Sequence, residues 1–514
     1  MSTCPVLIVG AGPTGLNLSL ALARRNVPHR LISDANGPGE QSRAMVVQAR
    51  TLEFYEQFGF AREVVKQGIV AEKAHVRDGT KSGPGRALLS ISFKEMGSGL
   101  SPYPFALAYP QDDHEQFLID KLKEAGVEVE WGAKLTGFTQ GETGVNATIE
   151  RDAGKLQQVD AAYICGCDGA RSCVRETLQV GFPGGTYEQL FYVADVKIAA
   201  GFVRDLWISL GEHILSLMFP VRSSGMQRLI GLVPAELSDQ QTLSFEEIRG
   251  HVEPLLGIKV TEVNWFSTYR VHHRVADKFR VNRAFLVGDA GHIHSPAGGQ
   301  GMNTGIGDAI NLGWKLAHVL QGRADVSLLD SYEPERIGFA RSLVSTTDRA
   351  FTGMVAEGLL GEFTRRIAAP LIFAVATRFT LSRHALFRTV SQTRIHYPDS
   401  ALSQGTAGDV HGGDRLPWTG PDADDNFAAL RSLDWQAHVY GDVQEGLQTA
   451  CREFNLPLHR FAWSEGAKQA GIKRDALYLV RPDGYVALAS AEQNVIELKS
   501  YADRFCLHFA ESRP

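Results

Sequence analysis

The spacing of apolar and polar residues changes along the chain, and the first forty residues already predict one supersecondary unit. A continuous apolar run from Pro5 to Val9 predicts a buried strand, and residues 14–25 repeat with helical periodicity. Residues 29–32 form a short extended run, and a glycine-rich turn joins the first strand to the helix. The pattern therefore predicts a β-α-β unit at the N-terminus.

Later segments have other periods. Between residues 181 and 274, alternating segments punctuated by turns, such as 213–221 and 228–233, predict an antiparallel sheet. Helical periodicity returns at residues 304–320 and continues to about residue 387. A loop-rich run then leads into residues 427–514, which mix strands with helices and predict a small appended α/β domain.

Composition narrows the class of protein. A chain of 514 residues is expected to form two or three domains, and 44% hydrophobic and 21% charged residues are typical of a globular protein. A net charge of -6 gives no basic surface for nucleic acid, and no apolar run approaches a membrane span of about 20 residues. Without an export signal or a disulfide pattern among the six cysteines, the expected compartment is cytoplasmic. No set of side chains has metal-ligand spacing, so no metal is expected.

The strongest motif is Gly-Ala-Gly-Pro-Thr-Gly, from Gly10 through Thr14 to Gly15, placed between a strand and a helix. Gly10 permits the tight turn, Gly12 lets a pyrophosphate approach the backbone, and Gly15 lets the helix pack closely on the strand. The helix N-terminus adds a positive dipole for the phosphates. The motif therefore predicts a site for a dinucleotide.

An acidic residue is expected about 20 residues later, where it holds the adenosine ribose. Asp34 has the right chemistry, although it stands one position later than usual. Because NAD and FAD carry the same ADP group, the glycine motif leaves both cofactors open.

Three further segments decide between them. Residues 165–175 (Cys-Gly-Cys-Asp-Gly-Ala-Arg-Ser-Cys-Val-Arg), residues 286–292 with the loop 295–305, and residues 42–53 resemble the motifs of class A flavoprotein monooxygenases. These are the para-hydroxybenzoate hydroxylase-like enzymes. The chain is most similar to their longer branch, with polyketide and 3-hydroxyphenylpropionate-type hydroxylases. The resemblance covers about residues 3 to 345 and implies FAD as the cofactor.

The resemblance also implies a mixed α/β (α+β) fold. A Rossmann-like FAD-binding domain would comprise residues 1–180 and 276–395, with an antiparallel substrate-binding sheet inserted at 181–275. Residues 396–514 would form a thioredoxin-like domain, which lacks Cys-x-x-Cys and is therefore not expected to do redox chemistry.

Site residues follow from the same motifs. Asp289, at the end of a strand, can accept hydrogen bonds from the ribityl hydroxyls, and the next helix N-terminus can stabilise the charge of reduced flavin. The other positions that the resemblance brings near the flavin, its ribityl-phosphate chain or the pyrophosphate are Arg43, Gln48, Gln111, Asp168, Gly301, Met302 and Asn303.

The inserted sheet should cover the substrate pocket. Its candidates for substrate contact are His213, Met218 and Arg222, although each of these residue types more often has a structural or exposed position. Phe219, Trp207 and Tyr269 are further candidates, and no residue is assigned as a general base.

The resemblance implies that NADPH or NADH reduces FAD transiently and that O₂ then gives a C4a-hydroperoxyflavin, which hydroxylates a phenolic or polycyclic aromatic substrate. Three alternatives stay open: Baeyer-Villiger insertion, an FAD-dependent dehydrogenase or reductase without oxygen insertion, and a non-catalytic flavin-binding interaction protein. The partners expected are the aromatic substrate, O₂ and NAD(P)H, with a homodimer as one option.

Overall fold

The computed structural model describes residues 2–39, 44–78, 87–151, 154–211, 215–221, 225–238, 240, 242–294, 299–355, 379–421 and 424–509. Its α-helices are α1 (Pro13–Ala23), α2 (Ala49–Gln57), α3 (Ala61–Gln67), α4 (Phe93–Gly97), α5 (Gln111–Glu124), α6 (Cys173–Thr177), α7 (Phe245–Leu256), α8 (Gly301–Leu320), α9 (Tyr332–Val355), α10 (Thr380–Val390), α11 (Glu445–Glu453), α12 (Glu465–Gln469) and α13 (Val495–Arg504).

A largely parallel sheet is the base of the N-terminal domain. Its strands are β1 (Ser2–Val9), β2 (His29–Ile32), β8 (Val129–Glu130), β9 (Lys134–Gln140), β10 (Val145–Arg151), β11 (Lys155–Gly166), β17 (Arg280–Val281) and β18 (Ala284–Leu286). Their order is β17-β18-β11-β1-β2-β8, with β10 and β9 added beside β11. Val6, Leu7 and Ile8 in β1 are fully buried, since helices cover the sheet. A three-stranded sheet of β3 (Val46–Val47), β7 (Ala106–Ala108) and β4 (Ile69–Ala71) lies in the same part of the chain.

A second large sheet has the order β19-β16-β12-β15-β14-β13-β5-β6. Its strands are β5 (Lys73–Asp78), β6 (Ala87–Ser92), β12 (Gly184–Ile198), β13 (Leu206–Leu210), β14 (Leu215–Val221), β15 (Met226–Leu232), β16 (Val260–Val275) and β19 (His292–Ile293). Neighbours are antiparallel except β13 and β5, which are parallel. β5 and β6 join this sheet although the sequence pattern assigned them to the FAD-binding domain, because their partner β13 is distant in sequence and leaves no local signal.

The two faces of this second sheet have different neighbours. Tyr192 and Leu229 pack with Phe245 and Ile248 of α7, so α7 covers one face. On the opposite face Phe219 clusters with residues next to β3 of the FAD-binding domain. We call this second face, which includes Val193, Phe219 and Ile230, the cleft face.

In the C-terminal domain two short strands are followed by the order β-α-β-α-β-β-α, which is typical of thioredoxin-like folds. Its sheet runs β21-β20-β25-β24-β22-β23. The strands are β20 (Gln404–Ala407), β21 (Val410–His411), β22 (Gln436–Tyr440), β23 (Leu458–Phe461), β24 (Leu477–Val480) and β25 (Val486–Ser490). Trp314 of α8 packs edge-on against Trp435, with ring centroids 5.6 Å apart, and fixes this domain to the FAD-binding domain. The expected mixed α/β fold is confirmed.

Within the described part of the chain, no helix combines the length and the hydrophobicity that a membrane span requires.

Candidate flavin site and substrate cleft

The glycine turn after β1 has the geometry of a phosphate-binding loop. Gly10 has a φ of +102°, and a Cβ there would lie 2.3 Å from the carbonyl oxygen of Cys167. A Cβ on Gly15 would lie 1.9 Å from the oxygen of Gly10, so both positions require glycine. At Gly12 a Cβ would meet nothing within 4 Å, so the backbone is open on the side where α1 begins. The turn thus exposes the first amides of α1 to a ligand.

Asp168 lies directly beside this turn. Its Cα would be 2.9 Å from a Cβ on Gly10, and one carboxylate oxygen accepts a 3.1 Å hydrogen bond from the N–H of Val174. Burial raises the pKa of Asp168, although hydrogen bonds from Ser172 and nearby amides lower it. Asp168 therefore stabilises the start of α6 next to the expected pyrophosphate position.

The end of β2 provides two polar side chains. Ser33 is 7% exposed, and its hydroxyl accepts a hydrogen bond of 3.3 Å from the N–H of Ala35. Asp34, the candidate for the ribose, follows on an exposed turn. A serine thus occupies the place where an acid is more common, and the role of Asp34 stays a prediction.

The segment after β18 approaches the same turn. Gly288 has a φ of +64°, and a Cβ there would lie 2.5 Å from the hydroxyl of Thr14. A Cβ on Gly305 of α8 would lie 2.4 Å from the same hydroxyl. Thr14 is therefore held between these two glycines, which gives its side chain a packing role. Its backbone remains part of the glycine turn.

Asp289 follows Gly288 and is exposed. Burial by the surrounding protein nevertheless raises the pKa of its carboxyl, with a smaller opposing effect from His292. The carboxylate is thus accessible from solvent although protein surrounds it closely. Asp289 can therefore reach a polar ligand such as a ribityl chain.

The start of α8 is held by the side chain of Asn303. Its oxygen accepts hydrogen bonds from the N–H of Gln48, at 2.9 Å, and from the hydroxyl of Thr51, at 2.8 Å. Its amide nitrogen donates to the carbonyl oxygens of Val46, at 2.8 Å, and Gly299, at 3.0 Å. Since the side chain is committed to protein partners, only the backbone N–H of Asn303 is available to a flavin.

Gly301 and Met302 precede Asn303 in the first turn of α8, and both are partly exposed. The first amides of a helix lack intrahelical acceptors and carry the positive end of its dipole. An isoalloxazine ring placed there would meet these donors.

The other predicted flavin contacts are Gln111, Gln48 and Arg43. Gln111 begins α5; its side-chain nitrogen donates to Glu115 at 2.7 Å, and its N–H donates to the oxygen of Ala44 at 3.2 Å. Gln48 ends the segment 44–48, and Gln111 lies beside the start of this segment. Arg43 lies outside the described residues.

A buried ion-pair network behind the cleft was missed by sequence reasoning. Asp308 of α8 accepts a 3.0 Å hydrogen bond from the N–H of Gly288, and it lies 2.7 Å from His292 Nε2 and 2.5 Å from Arg336 Nε. Burial would raise the pKa of Asp308, but Arg336 and His292 outweigh it and hold this pKa below its usual value. In the sequence, this network could have been recognised from Asp308, a charged residue at an otherwise apolar position of the helix α8.

The cleft face of the second sheet carries aromatic and apolar side chains in transverse rows. Cross-strand pairing puts Phe219, Arg228, Asp195 and Trp265 in one row, since paired residues share a face. The adjacent rows contain Leu217, Ile230, Val193 and Ser267, and then Leu232, Phe191 and Tyr269. Phe191 stacks on Tyr269 with centroids 5.6 Å apart. The face is therefore a broad aromatic wall.

The first row also contains an ion pair. Arg228 donates from Nε and Nη2 to the two oxygens of Asp195, both at 2.7 Å, and its guanidinium lies 5.5 Å from the ring centre of Trp265. Such a pair is fixed in orientation and gives this mainly aromatic and apolar wall a pair of opposite charges.

Of the predicted substrate contacts Met218, His213 and Arg222, the structure describes Met218, which lies on the face opposite to the cleft face. Met218 is 4% exposed and packs with Trp207 in the cluster under α7, on the side opposite to Phe219. Successive residues of a strand point to opposite faces, so Phe219 takes the cleft-facing position that Met218 was expected to have. His213 and Arg222 lie outside the described residues.

The geometry fits FAD. The open glycine turn, the exposed Asp289 and the free first turn of α8 lie around one cleft, joined through Thr14, Gly288 and Gly305. None of the described residues forms a cluster of histidine, cysteine and carboxylate ligands that could hold a metal.

Comparison with known proteins agrees with this geometry. A family described as an FAD binding domain matches residues 3–347. A 6-methylpretetramide 4-monooxygenase from Streptomyces rimosus is 36% identical and aligns with 94% of this chain and 90% of its own length. A flavin-dependent monooxygenase from Mycobacteroides abscessus is 30% identical, over 94% of this chain and 96% of its own. The solved anhydrotetracycline hydroxylase OxyS from Streptomyces rimosus superimposes with a TM-score of 0.75 at 26% identity, covering 98% of this chain and 99% of its own.

Proposed function

Because the chain belongs to the FAD-binding-domain family and is an FAD-dependent aromatic monooxygenase, we propose that it hydroxylates a polycyclic phenolic substrate held against the cleft face. The observation that carries this proposal is the aromatic wall. Its four adjacent strands β14, β15, β12 and β16 span about 14 Å, which exceeds a single phenol ring. The relatives named for 6-methylpretetramide and anhydrotetracycline support a substrate of that class.

Bound FAD, reduced by NADH or NADPH, supplies the oxygen chemistry. The overall balance is one substrate C–H, O₂, NAD(P)H and a proton giving the hydroxylated product, NAD(P)⁺ and water. NAD(P)H as a transient reductant, O₂ as the co-substrate and a homodimeric assembly are parts of the same proposal.

The side chains then have distinct roles. The turn from Gly10 to Gly15 binds the pyrophosphate through the amides of α1, with Asp168 beside it. Asp34 binds the adenosine ribose and Asp289 the ribityl hydroxyls. These contacts hold the cofactor in one orientation.

Other groups of the protein act at the isoalloxazine ring of the flavin. The backbone amides of Gly301, Met302 and Asn303 stabilise negative charge on the isoalloxazine ring. Arg43, Gln48 and Gln111 are assigned to contacts with the flavin or its ribityl-phosphate chain. Phe219 and Tyr269 contact the substrate and exclude water, which protects the activated oxygen from loss as peroxide.

The experiment is substrate-stimulated NAD(P)H oxidation by the FAD-loaded protein, followed by mass spectrometry of the products. Tetracyclic phenols should stimulate oxidation more than monocyclic phenols and should give a product with one added oxygen. Stimulation by monocyclic phenols alone would reject the assignment of substrate size. A product changed only in hydrogen content would favour a dehydrogenase.

A further inference from the structure

A small, partly open cavity lies behind α8, where the FAD-binding domain meets the C-terminal domain. The volume open to the centre of a water molecule in this cavity is about 10 Å³. This is room for one water molecule or one monatomic ion. Its walls include Arg50, Arg336, Tyr397, Tyr485 and Asp483, whose carboxylate is paired with Arg481. The cavity thus brings two guanidinium groups and two tyrosine rings together inside the protein.

Arg50 lines this cavity, its guanidinium lies over the rings of Phe54 and Tyr485, and one of its donors is unpaired within the described part of the chain. The residue is 2% exposed; Nη1 donates to Glu53 at 2.9 Å, and Nη2 donates to the carbonyl oxygen of Asp483 at 2.9 Å. Its Nε–H has no acceptor among the described residues. A buried donor without an acceptor is unfavourable, so the cavity favours a ligand that accepts a hydrogen bond.

The charges around the cavity do not balance. Three separate groups of ion pairs each contribute one residue to the cavity wall. Their side chains are at most 9% exposed, and they are Arg50 and Arg415 with Glu53, Lys315 and Arg481 with Glu335 and Asp483, and Arg336 with Asp308. Five basic groups therefore face four acidic groups. An uncompensated buried charge is relieved when a group loses its proton or when a counter-ion binds.

Proton loss is incomplete near neutral pH. Burial lowers the pKa of Lys315 to about 8, while the charge of Glu335 opposes that change. At pH 7 most Lys315 side chains are therefore still charged, and the excess positive charge persists. A bound anion would compensate it.

We propose that this cavity binds one monovalent anion, for which chloride is the abundant candidate, with Arg50 as donor and Arg336 as the second cation. The anion neutralises the interface cluster and strengthens the contact between the C-terminal domain and α8. The anion also stabilises the flavin cleft indirectly through Arg336. Arg336 pairs with the Asp308 carboxylate, which accepts a hydrogen bond from the N–H of Gly288.

The direct test is crystallography of the FAD-loaded full-length protein grown in sodium bromide, with data collected at the bromine absorption edge. An anomalous peak within hydrogen-bond distance of Arg50 Nε is the expected result. Ordered density there without anomalous signal, as from a water molecule, would overturn the proposal.

A solution test uses thermal unfolding at constant ionic strength with chloride or bromide replacing gluconate. Halide should raise the melting temperature saturably, by about 2 °C at ten times the half-saturating concentration. Equal melting temperatures in halide and gluconate would overturn the site.

Two variants assign the effect to the cavity. R50K keeps the charge but removes the Nε–H donor, so it should lose the bromide peak and the halide response. R431M removes an exposed arginine that pairs with Glu56 at the same domain interface, and it should retain both. The wild-type measurements decide the question even if R50K fails to fold.

Discussion

The backbone N–H of Gln48 donates a 2.9 Å hydrogen bond to the side-chain oxygen of Asn303, 255 positions further along the chain. Asn303 also binds Thr51, Val46 and Gly299. One side chain therefore fixes the start of α2 against the start of α8. This contact positions the first amides of α8, to which we assign the flavin ring.

Replacing Asn303 with leucine should weaken FAD binding. N303L removes four hydrogen bonds and leaves buried backbone groups unpaired, at a cost of about 1–3 kcal/mol or more, so the FAD dissociation constant should rise about tenfold or more. Titration of the apoprotein by flavin fluorescence measures it. T51V removes one of the four bonds and should change the dissociation constant less. Equal affinities for N303L and wild type would contradict the positioning role.

Close packing of α1 on α8 gives a steric prediction. In G305A the new Cβ would lie 2.4 Å from the Thr14 hydroxyl, so we expect a destabilisation of about 1–3 kcal/mol in urea unfolding. The double variant T14A/G305A should recover much of that loss, and T14A alone should keep its FAD affinity.

G250A in α7 is the matched control, because a Cβ there meets nothing within 4 Å. Alanine should stabilise that helix by up to about 1 kcal/mol. If T14A lost FAD while T14A/G305A stayed unstable, Thr14 would be a cofactor ligand rather than a packing residue.

The glycine turn could be predicted from sequence because its constraint is local: a strand, a tight backbone approach and a helix start follow one another within a few residues. The face of β14 could not. Its sequence, Leu-Ser-Leu-Met-Phe-Pro-Val, has apolar side chains on both faces, so alternation does not separate Met218 from Phe219.

Long-range pairing accounts for the other misses. β5 joins β13 from more than a hundred residues away, and Asp308 meets Arg336 only after α8 and α9 pack together. Ion-pair partners leave no spacing pattern in a single sequence. The predicted domain ranges, the ribose role of Asp34 and the role of Arg43 stay predictions.

Substrate contact by the cleft face predicts different effects for two neighbouring residues. F219A should raise the KM for a tetracyclic phenol about tenfold, since loss of a large buried aromatic contact costs roughly 1–3 kcal/mol, with little change in FAD affinity. M218A should lower thermal stability instead, because Met218 packs under α7. Steady-state NAD(P)H oxidation and thermal unfolding of both variants separate the outcomes. An unchanged KM for F219A would place the substrate elsewhere.

Lys315 gives a pH dependence with a defined sign. Burial lowers its folded-state pKa to about 8, whereas the unfolded chain keeps the proton to about pH 10.4. Between these values the unfolded state binds more protons, so the free energy of unfolding rises with pH, by about 1–3 kcal/mol. Urea unfolding at about pH 7.5 and about pH 9.5 measures it.

K315M should lack this rise. K468M, at an exposed lysine beside Glu465, should retain it. A rise of equal size in K315M would assign the effect to another group.

Oxygen insertion by bound flavin can be followed with labelled oxygen. The FAD-loaded protein, NADPH or NADH, and a tetracyclic phenol are incubated under oxygen-18 gas, and the product is analysed by mass spectrometry. We predict one oxygen-18 atom in the product for each productive NAD(P)H oxidised. A product without the label would show that flavin does not insert oxygen from O₂. NAD(P)H consumption that yields only labelled hydrogen peroxide with every aromatic substrate would show the same.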